Sequence, residues 1–334
     1  MKTLRDFRAC APAFCPDQAV YAAYAAHVSG LDFQDLDGGT SLLFTVGIGG
    51  QRAAFGAGRC SFFPQNNATA ATLANDKYFA GVLMARSGIA TLGGDYFFLH
   101  DRHRAHRPPG HERGDAIAHC QALGGAAFVK PLNGSRGDFA QAVSSETALR
   151  GYLDEVARYH DAIIMQRIYV GQEYRIFVLD DEILYSARKA PPVVIGDGEH
   201  SFGALLRAAA DQRSAHGVSL AASPDSGPHD VVLAQGERRA IPGRMNRSAG
   251  GTMDFATPDN DVAAFAIARQ AVKALGLRVG AVDMFTDAGS DPAAMRVIEV
   301  NANPSIRFLE DSGRDDLILR IWQSTFQTVG LRDV

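Results

Sequence analysis

The chain has 334 residues, 46% of them hydrophobic, and a formal net charge of −4. That length supports a real core and two or three lobes, while the small negative charge gives no general attraction to nucleic acid. The first residues, MKTLRDFRACAPAF, hold charges and no long apolar run, no later stretch is apolar enough to span a bilayer, and Cys10, Cys15, Cys60 and Cys120 lack metal-site spacing. The expectation is a cytoplasmic protein with free thiols and no membrane partner.

Small residues from Gln18 to His27 predict a helix, and Ser41–Val46 and Arg52–Phe55 predict two short strands. A helix is expected from Asn75 through Arg86, stopped by Gly88. The His/Arg-rich segment His100–Arg113 reads as a solvated loop, Ala126–Val129 as a strand, and Thr147–His160 as an amphipathic helix with Leu149, Tyr152, Leu153 and Val156 on one side. Ala162–Met165, Glu173–Leu179 and Glu182–Ala187 read as consecutive strands, the last two joined by a tight turn at Asp180-Asp181. Ala190–His200, rich in Pro and Gly, reads as a loop, and a small-residue helix is expected after it. Ser219–Pro228 reads as a loop and Val231–Ala234 as strand-like. Asp261–Leu275 predicts a helix with Val262, Phe265, Ala268, Val272 and Leu275 on one face. Strands adjacent in sequence favour an α+β fold with antiparallel sheets.

The richest segment is Val279-Gly-Ala-Val-Asp-Met-Phe285 followed by Met295-Arg-Val-Ile-Glu-Val-Asn-Ala-Asn-Pro304. Asp283, Glu299 and Asn301 are hard oxygen donors of the kind that holds Mg2+ beside phosphates. Glu299 and Asn301 are two apart on a strand and so share a face. Ionised carboxylates in apolar strands need a partner; the alternative to a metal is pairing with Lys or Arg. Lys130 ends a strand before the loop Asn133–Asp138, whose Gly134, Ser135 and Gly137 offer backbone N–H groups to a phosphate. Lys77 opens a helix and can add a second cation. Gln166-Arg167-Ile168 resembles a hinge that reads an adenine edge, with Glu173 placed for ribose hydroxyls. The loop Arg244–Thr252 carries Asn246, Ser248, Gly250 and Gly251, donors for an oxyanion or a substrate carboxylate.

In this order, from about Asn67 to Leu309, these features resemble the ATP-grasp superfamily. The narrower likeness is to the ATP-grasp segments of cyanophycin synthetase and bifunctional glutathione synthetase. It rests on Ala74-Asn-Asp-Lys77, Arg188-Lys-Ala-Pro-Pro-Val-Val-Ile-Gly-Asp-Gly-Glu-His200 and Asn246-Arg-Ser-Ala-Gly-Gly251. The resemblance implies a small α/β N-terminal lobe over residues 1–72 and an ATP-grasp domain over 73–334. The latter divides into 73–165, with Lys130 and the glycine loop, and 166–334, with the metal and substrate residues. It further implies ATP clamped between two α+β lobes, with Lys77 and Lys130 on its phosphates. Asp283, Glu299 and Asn301 would hold two Mg2+ ions, with Mn2+ as a substitute. Arg188 and Arg307 would take a carboxylate or the transferring phosphoryl group, and Asn133–Phe139 would act as a lid.

The implied reaction is carboxylate–amine ligation through an acylphosphate, releasing ADP and phosphate. The expected partners are a small-molecule carboxylate and an amine, each an amino acid or short peptide; a homodimer is compatible with the resemblance. Two other readings are a ligase that modifies a protein or peptide tail, with His100–Arg113 as its docking face, and a non-catalytic nucleotide-binding module. The chain departs from the family at Gln166, where the hinge often has Glu, and at Asp138-Phe139, where the phosphate loop usually has another Gly.

Overall fold

Capping side chains decide where the first helices begin, and the computed structural model describes residues 2–56, 61–134, 137–214, 229–241, 251–291 and 293–331. Thr3 and Asp6 form a reciprocal capping box that starts α1 (Leu4–Cys10). After α2 (Asp17–Val28), the strands β1 (Asp32–Asp35), β2 (Leu43–Ile48) and β3 (Gln51–Gly56) form an antiparallel sheet in that order. Asn67 caps α3 (Ala68–Asn75), and Asp76 accepts from the amides of Tyr78 and Phe79 at 3.0 and 2.9 Å to open α4 (Lys77–Arg86). The helix expected from Asn75 through Arg86 is α4, and it begins at Lys77 because Asp76 serves as its cap; the preceding α3 was not expected.

The small lobe runs from β4 (Asp95–Phe98) through α5 (Arg113–Ala122), β5 (Ala127–Pro131), β6 (Gln141–Val143) and α6 (Glu146–Val156) to β7 (Ala162–Gln166). Its antiparallel sheet has the order β4-β7-β5-β6. The expected amphipathic helix is α6, whose Leu149, Tyr152, Leu153 and Val156 pack with Phe97, Val129, Ile163 and Met165 on one face of this sheet. Lys130 and Gln166 sit in β5 and β7.

The larger sheet comprises β8 (Glu173–Leu179), β9 (Glu182–Ala190), β12 (Thr252–Phe255), β13 (Val279–Phe285) and β14 (Arg296–Asn301). Between β9 and β12 the chain forms β10 (Val193–Ile195), α7 (Phe202–Ser214) and β11 (Arg238–Ala240); α8 (Asp261–Ala274) precedes β13. The five-stranded sheet is antiparallel in the order β12-β9-β8-β13-β14. Asp180 and Asp181 take left-handed φ values of 50° and 68°, as a two-residue hairpin demands. The segment expected to be a loop at Ala190–His200 includes β10, which pairs with β11. At Val231–Ala234 a single bridge joins Val232 to Ser201. The expected loop Ser219–Pro228 lies outside the described residues. On α8, Ala264, Ala268, Ala271 and Val272 are buried, whereas Val262 is 79% exposed at the first turn.

Strand alternation gives the large sheet two unlike faces. Tyr174, Ile176, Val178, Val282, Met284, Val297 and Val300 pack beneath α3, α4 and α8. The opposite face starts apolar, with Phe177, Tyr185, Ala187 and Ala281 packed against α2, the N-terminal sheet and two last helices, α9 (Arg307–Asp311) and α10 (Asp315–Thr328). Trp322 of α10 sits among Phe44, Phe55 and Phe62. No described helix is long and apolar enough to cross a membrane.

Candidate active site

Farther along that second face the side chains become charged. Asp283 lies opposite Arg175 on one side and Glu299 on the other, and Ala281 lies opposite Asn301. Arg175 donates through Nε and Nη2 to the two Asp283 oxygens at 2.8 and 2.7 Å. Lys189 is 3.3 Å from Asp283 Oδ2 and in close contact with the Glu173 carboxylate. Asn301 Nδ2 donates to Glu299 Oε1 at 3.5 Å. A row of polar side chains thus crosses four neighbouring strands, β9, β8, β13 and β14.

Two more cations face this row, Lys130 from the small lobe and Lys77 from α4. Lys130, 6% exposed, brings its Nζ to 3.9 Å from Glu299 Oε2. Lys77, in the first turn of α4, donates to the Gly134 carbonyl at 2.8 Å and to that of Leu132 at 3.5 Å. Tyr78 packs on Tyr96 of β4 and fixes that first turn. Lys77, Lys130, Arg175 and Lys189 therefore stand against Glu173, Asp283 and Glu299. An excess of cations over carboxylates in a partly buried cleft suits a polyanionic ligand.

Burial and pairing compete at each group. Burial would raise the Asp283 pKa, but Arg175 and then Lys189 outweigh it and hold the carboxyl down at about 2. At Glu173 burial wins and pushes the carboxyl up despite Lys189. The Lys77 ammonium is pulled below its usual value by burial, with Glu299 opposing and Lys130 reinforcing the shift. Burial also disfavours the Lys189 ammonium, but Asp283 and Glu173 raise its pKa overall.

Gln166 supplies a test for a nucleotide base. It is 5% exposed, its Nε2 donates to the Gly93 carbonyl at 2.6 Å, and its buried Oε1 has no hydrogen-bond partner among the described residues. A cavity of about 20 Å³, lined by Gly93, Gln166, Lys77 and Glu299 among others, adjoins it. An orphaned acceptor beside such a cavity fits a ligand that carries an N–H donor, or one water. Gly94 follows with φ 104°, and a Cβ there would run into the Met165 carbonyl. Arg167 and Ile168 are exposed just beyond Gln166, and Glu173, at the start of β8, is partly buried.

For a metal, the donor chemistry fits at the β14 edge, where Glu299 and Asn301 adjoin. Asp283 is already bound by Arg175 and Lys189, so it reaches a metal only by sharing or exchanging these partners. Among the described residues no three acidic, His or Cys groups form a preassembled metal cage.

Arg188 lies opposite Tyr174 and Asp254; it is the neighbour of Lys189 on β9 and therefore points to the opposite face. Arg307 makes its ion pairs with Asp17 at 2.9 Å, Asp311 at 3.0 Å and Glu310 at 3.4 Å, in a network that includes Arg8 and Tyr21. Gly137 has φ 70°, and Phe139 has φ 56°, its ring stacked on Tyr159 at 5.4 Å and edge-on to His160 at 5.7 Å. Gly251 is buried at the entry to β12. Ser135, Asn246, Ser248 and Gly250 lie outside the described residues. Arg175 and Lys189 were not singled out in the sequence, although Arg175 stands two residues after Glu173 and so shares its face.

A larger depression of about 360 Å³ lies beside the His100–Arg113 segment, away from this row. Its neighbourhood is basic in sequence but paired in space: Arg102 with Asp161, Arg104 with Asp101, Arg107 with Glu112 and Arg113 with Asp154. The charged row, not the larger hollow, carries the unbalanced charge.

No protein-family model matches the chain. It is similar to cyanophycin synthetase of Geminocystis herdmanii (strain PCC 6308), with 27% identity over 256 residues covering 70% of this chain and 28% of that protein. It is similar also to cyanophycin synthetase of Trichormus variabilis (strain ATCC 29413 / PCC 7937), 27% identical over 268 residues, covering 70% of this chain and 27% of the other. The chain thus spans little more than a quarter of the length of these curated relatives. In structure it resembles a bifunctional glutathione synthetase from Pasteurella multocida, with TM-score 0.54, 18% identity and coverage of 93% of this chain and 43% of that one. A D-alanine–D-alanine ligase from Bacillus anthracis superposes with TM-score 0.51 and 14% identity over 79% of this chain and 71% of that one.

The chain has the ATP-grasp fold. The relatives and structural neighbours named above are ATP-grasp ligases, and the two antiparallel sheets that face each other across Lys130 and Glu299 correspond to the two lobes of that fold.

Proposed function

We propose that this chain is an ATP-dependent carboxylate–amine ligase that forms an amide bond through an acylphosphate and releases ADP and phosphate. The observation that carries this reading is the charged row Glu173, Arg175, Lys189, Asp283, Glu299 and Asn301 set against Lys77 and Lys130. Phosphoryl transfer asks mainly for positioning and charge neutralisation, and this row supplies both. Lys77 and Lys130 bind the ATP phosphates, together with backbone N–H groups of the 133–139 loop. Gln166, with its amide oriented by Gly93, accepts from the exocyclic amino group of adenine, and Glu173 accepts from ribose. Glu299 and Asn301 hold Mg2+, joined by Asp283 as its Arg175 and Lys189 contacts are shared with the nucleotide. When bound, Mg2+ neutralises the phosphates and polarises the γ-phosphoryl group.

Arg175 and Lys189 then face the transferring group as fixed cations whose orientation is set by Asp283 and Glu173. The 133–139 loop keeps water from the activated carboxylate. The substrates are amino acids or a short peptide; one structural neighbour is by name a ligase of two D-alanines.

The test is phosphate release from purified protein with Mg·ATP across pooled amino acids and dipeptides, with mass spectrometry of each active pool. A product lighter by one water than its two reactants is expected. Silence in every pool, despite Mg·ATP binding, would refute ligation of small amino acids and peptides.

A further inference from the structure

We infer that Asn66 is a positioning residue for the strand pair that carries the metal ligands, an inference that rests on the ligase reading above. The side chain is buried, and its hydrogen-bonding capacity is used in full on main chain more than 200 residues away. Nδ2 donates to the carbonyls of Val279 at 2.8 Å and Ala302 at 3.0 Å, and Oδ1 accepts from the amides of Arg278 at 2.9 Å and Val279 at 3.0 Å. Two donors and two acceptor sites are all an asparagine has.

These contacts fall where the strands stop holding each other. The last registered pair of the β13–β14 ladder is Ala281 with Asn301, and a bulge interrupts the ladder between Asp283 and Met284. Asn301 therefore sits between an irregular ladder and a free exit. Asn66 takes over at that exit, tying the start of β13 to the residue that follows Asn301. Its surroundings are themselves tied: the Phe62 amide donates to Asn303 Oδ1 at 3.2 Å, and Gln65 Nε2 donates to Thr325 Oγ1 of α10 at 3.0 Å. Residues 62–66, just ahead of α3, thus act as a clamp on the end of β14. A group that fixes a ligand's backbone tunes metal affinity without touching the metal, as outer partners of metal ligands do.

The test compares the unmodified protein with Asn66→Ala, Asn66→Asp and Leu153→Ala, the last a core truncation in the small lobe. Asn66→Asp keeps an acceptor for the two amide contacts and sets a second oxygen against the Val279 and Ala302 carbonyls, and thermal midpoint together with ADP binding reports whether each variant is folded. Mn2+ binding is read by electron paramagnetic resonance with saturating ADP, ADP binding separately in EDTA, and thermal midpoint for each. The expectation is an Mn2+ dissociation constant raised about tenfold or more in the Asn66 variants, ADP affinity in EDTA changed less than about twofold, and Mn2+ affinity unchanged in Leu153→Ala despite a lowered midpoint. Unaltered Mn2+ affinity in the folded Asn66 variants, or an equal loss in Leu153→Ala, would overturn the assignment. Absence of Mn2+ binding by the unmodified protein with ADP would overturn the ligase reading, and the assignment with it.

Discussion

Asp283 is 2% exposed and lies between two cations, so its environment sets a sharp expectation. Replacing it with Asn leaves Arg175 and Lys189 buried without their shared counter-charge, a loss of about 3–5 kcal/mol at neutral pH. Its folded-state pKa of about 2 lies below the ordinary 3.8, so its contribution to stability is present above pH 3.8 and vanishes as pH falls toward 2. Urea midpoints measured against pH should show this acid limb in the unmodified protein and a reduced one in Asp283→Asn; an identical limb in both would refute the pairing. Glu299→Gln is different, because its side chain is partly exposed and its cation Lys130 is 3.9 Å away. That substitution should change stability by less than about 1 kcal/mol while Mg-dependent ADP formation falls at least about a hundredfold. Gln166 makes a chemical prediction of its own. With Nε2 committed to Gly93 and Oε1 lacking a partner, the 6-amino group of adenine satisfies it, whereas a 6-oxo purine sets a carbonyl there and moves its N–H donor to N1. ITP should bind at least about tenfold more weakly than ATP, since an unmatched buried acceptor costs about 1–3 kcal/mol; equal affinities in a calorimetric titration would remove Gln166 from base recognition.

At the scale of elements, β13 and β14 were legible because carboxylates punctuate short, otherwise nearly continuous apolar runs. The β8–β9 hairpin was legible too, because Asp180-Asp181 is a turn dipeptide between strands. Both aspartates hold positive φ, a conformation that disfavours side chains other than glycine. Asp181→Gly should therefore raise stability by about 1 kcal/mol or less, seen as a higher thermal midpoint; a lower midpoint would mean that the Asp181 side chain supports the turn. Which of Arg188 and Lys189 faces Asp283 was not legible. The two are adjacent, so a register shift of one residue exchanges them. The β8–β9 ladder contains such a shift, between Phe177 and Val178. The pairing of Arg175 with Asp283 depends on the β8–β13 register, which likewise exists only once the sheet is built. Strands of three or four residues such as β1, β6 and β11 were too short to give a period, and α10 went unread although Trp322 proves central to the core.

At the scale of the molecule, the two ends of the chain share one core while the two sheets meet through sparse polar contacts. Trp322 and Phe326 near the C-terminus pack with Phe55 near the N-terminus, and that assembly backs the large sheet. The small lobe reaches the large one through Lys130–Glu299, and the segment before β4 runs along β14 by way of the Ala90, Leu92 and Val297 backbone. A ligand that neutralises the four facing cations and bridges both sheets should therefore stabilise the whole. At a hundred times its dissociation constant, Mg·ADP should add about 2.7 kcal/mol, read as a rise in thermal midpoint. Lys130→Met separates binding from folding. The ammonium is buried and its carboxylate is beyond hydrogen-bond distance, so an apolar chain of similar length should leave the ligand-free midpoint unchanged or higher. The same change removes a phosphate contact, so most of the Mg·ADP-dependent rise should disappear. A Lys130→Met protein that keeps the full rise would show that the nucleotide does not lie between the two sheets, and the proposed clamp would have to be abandoned.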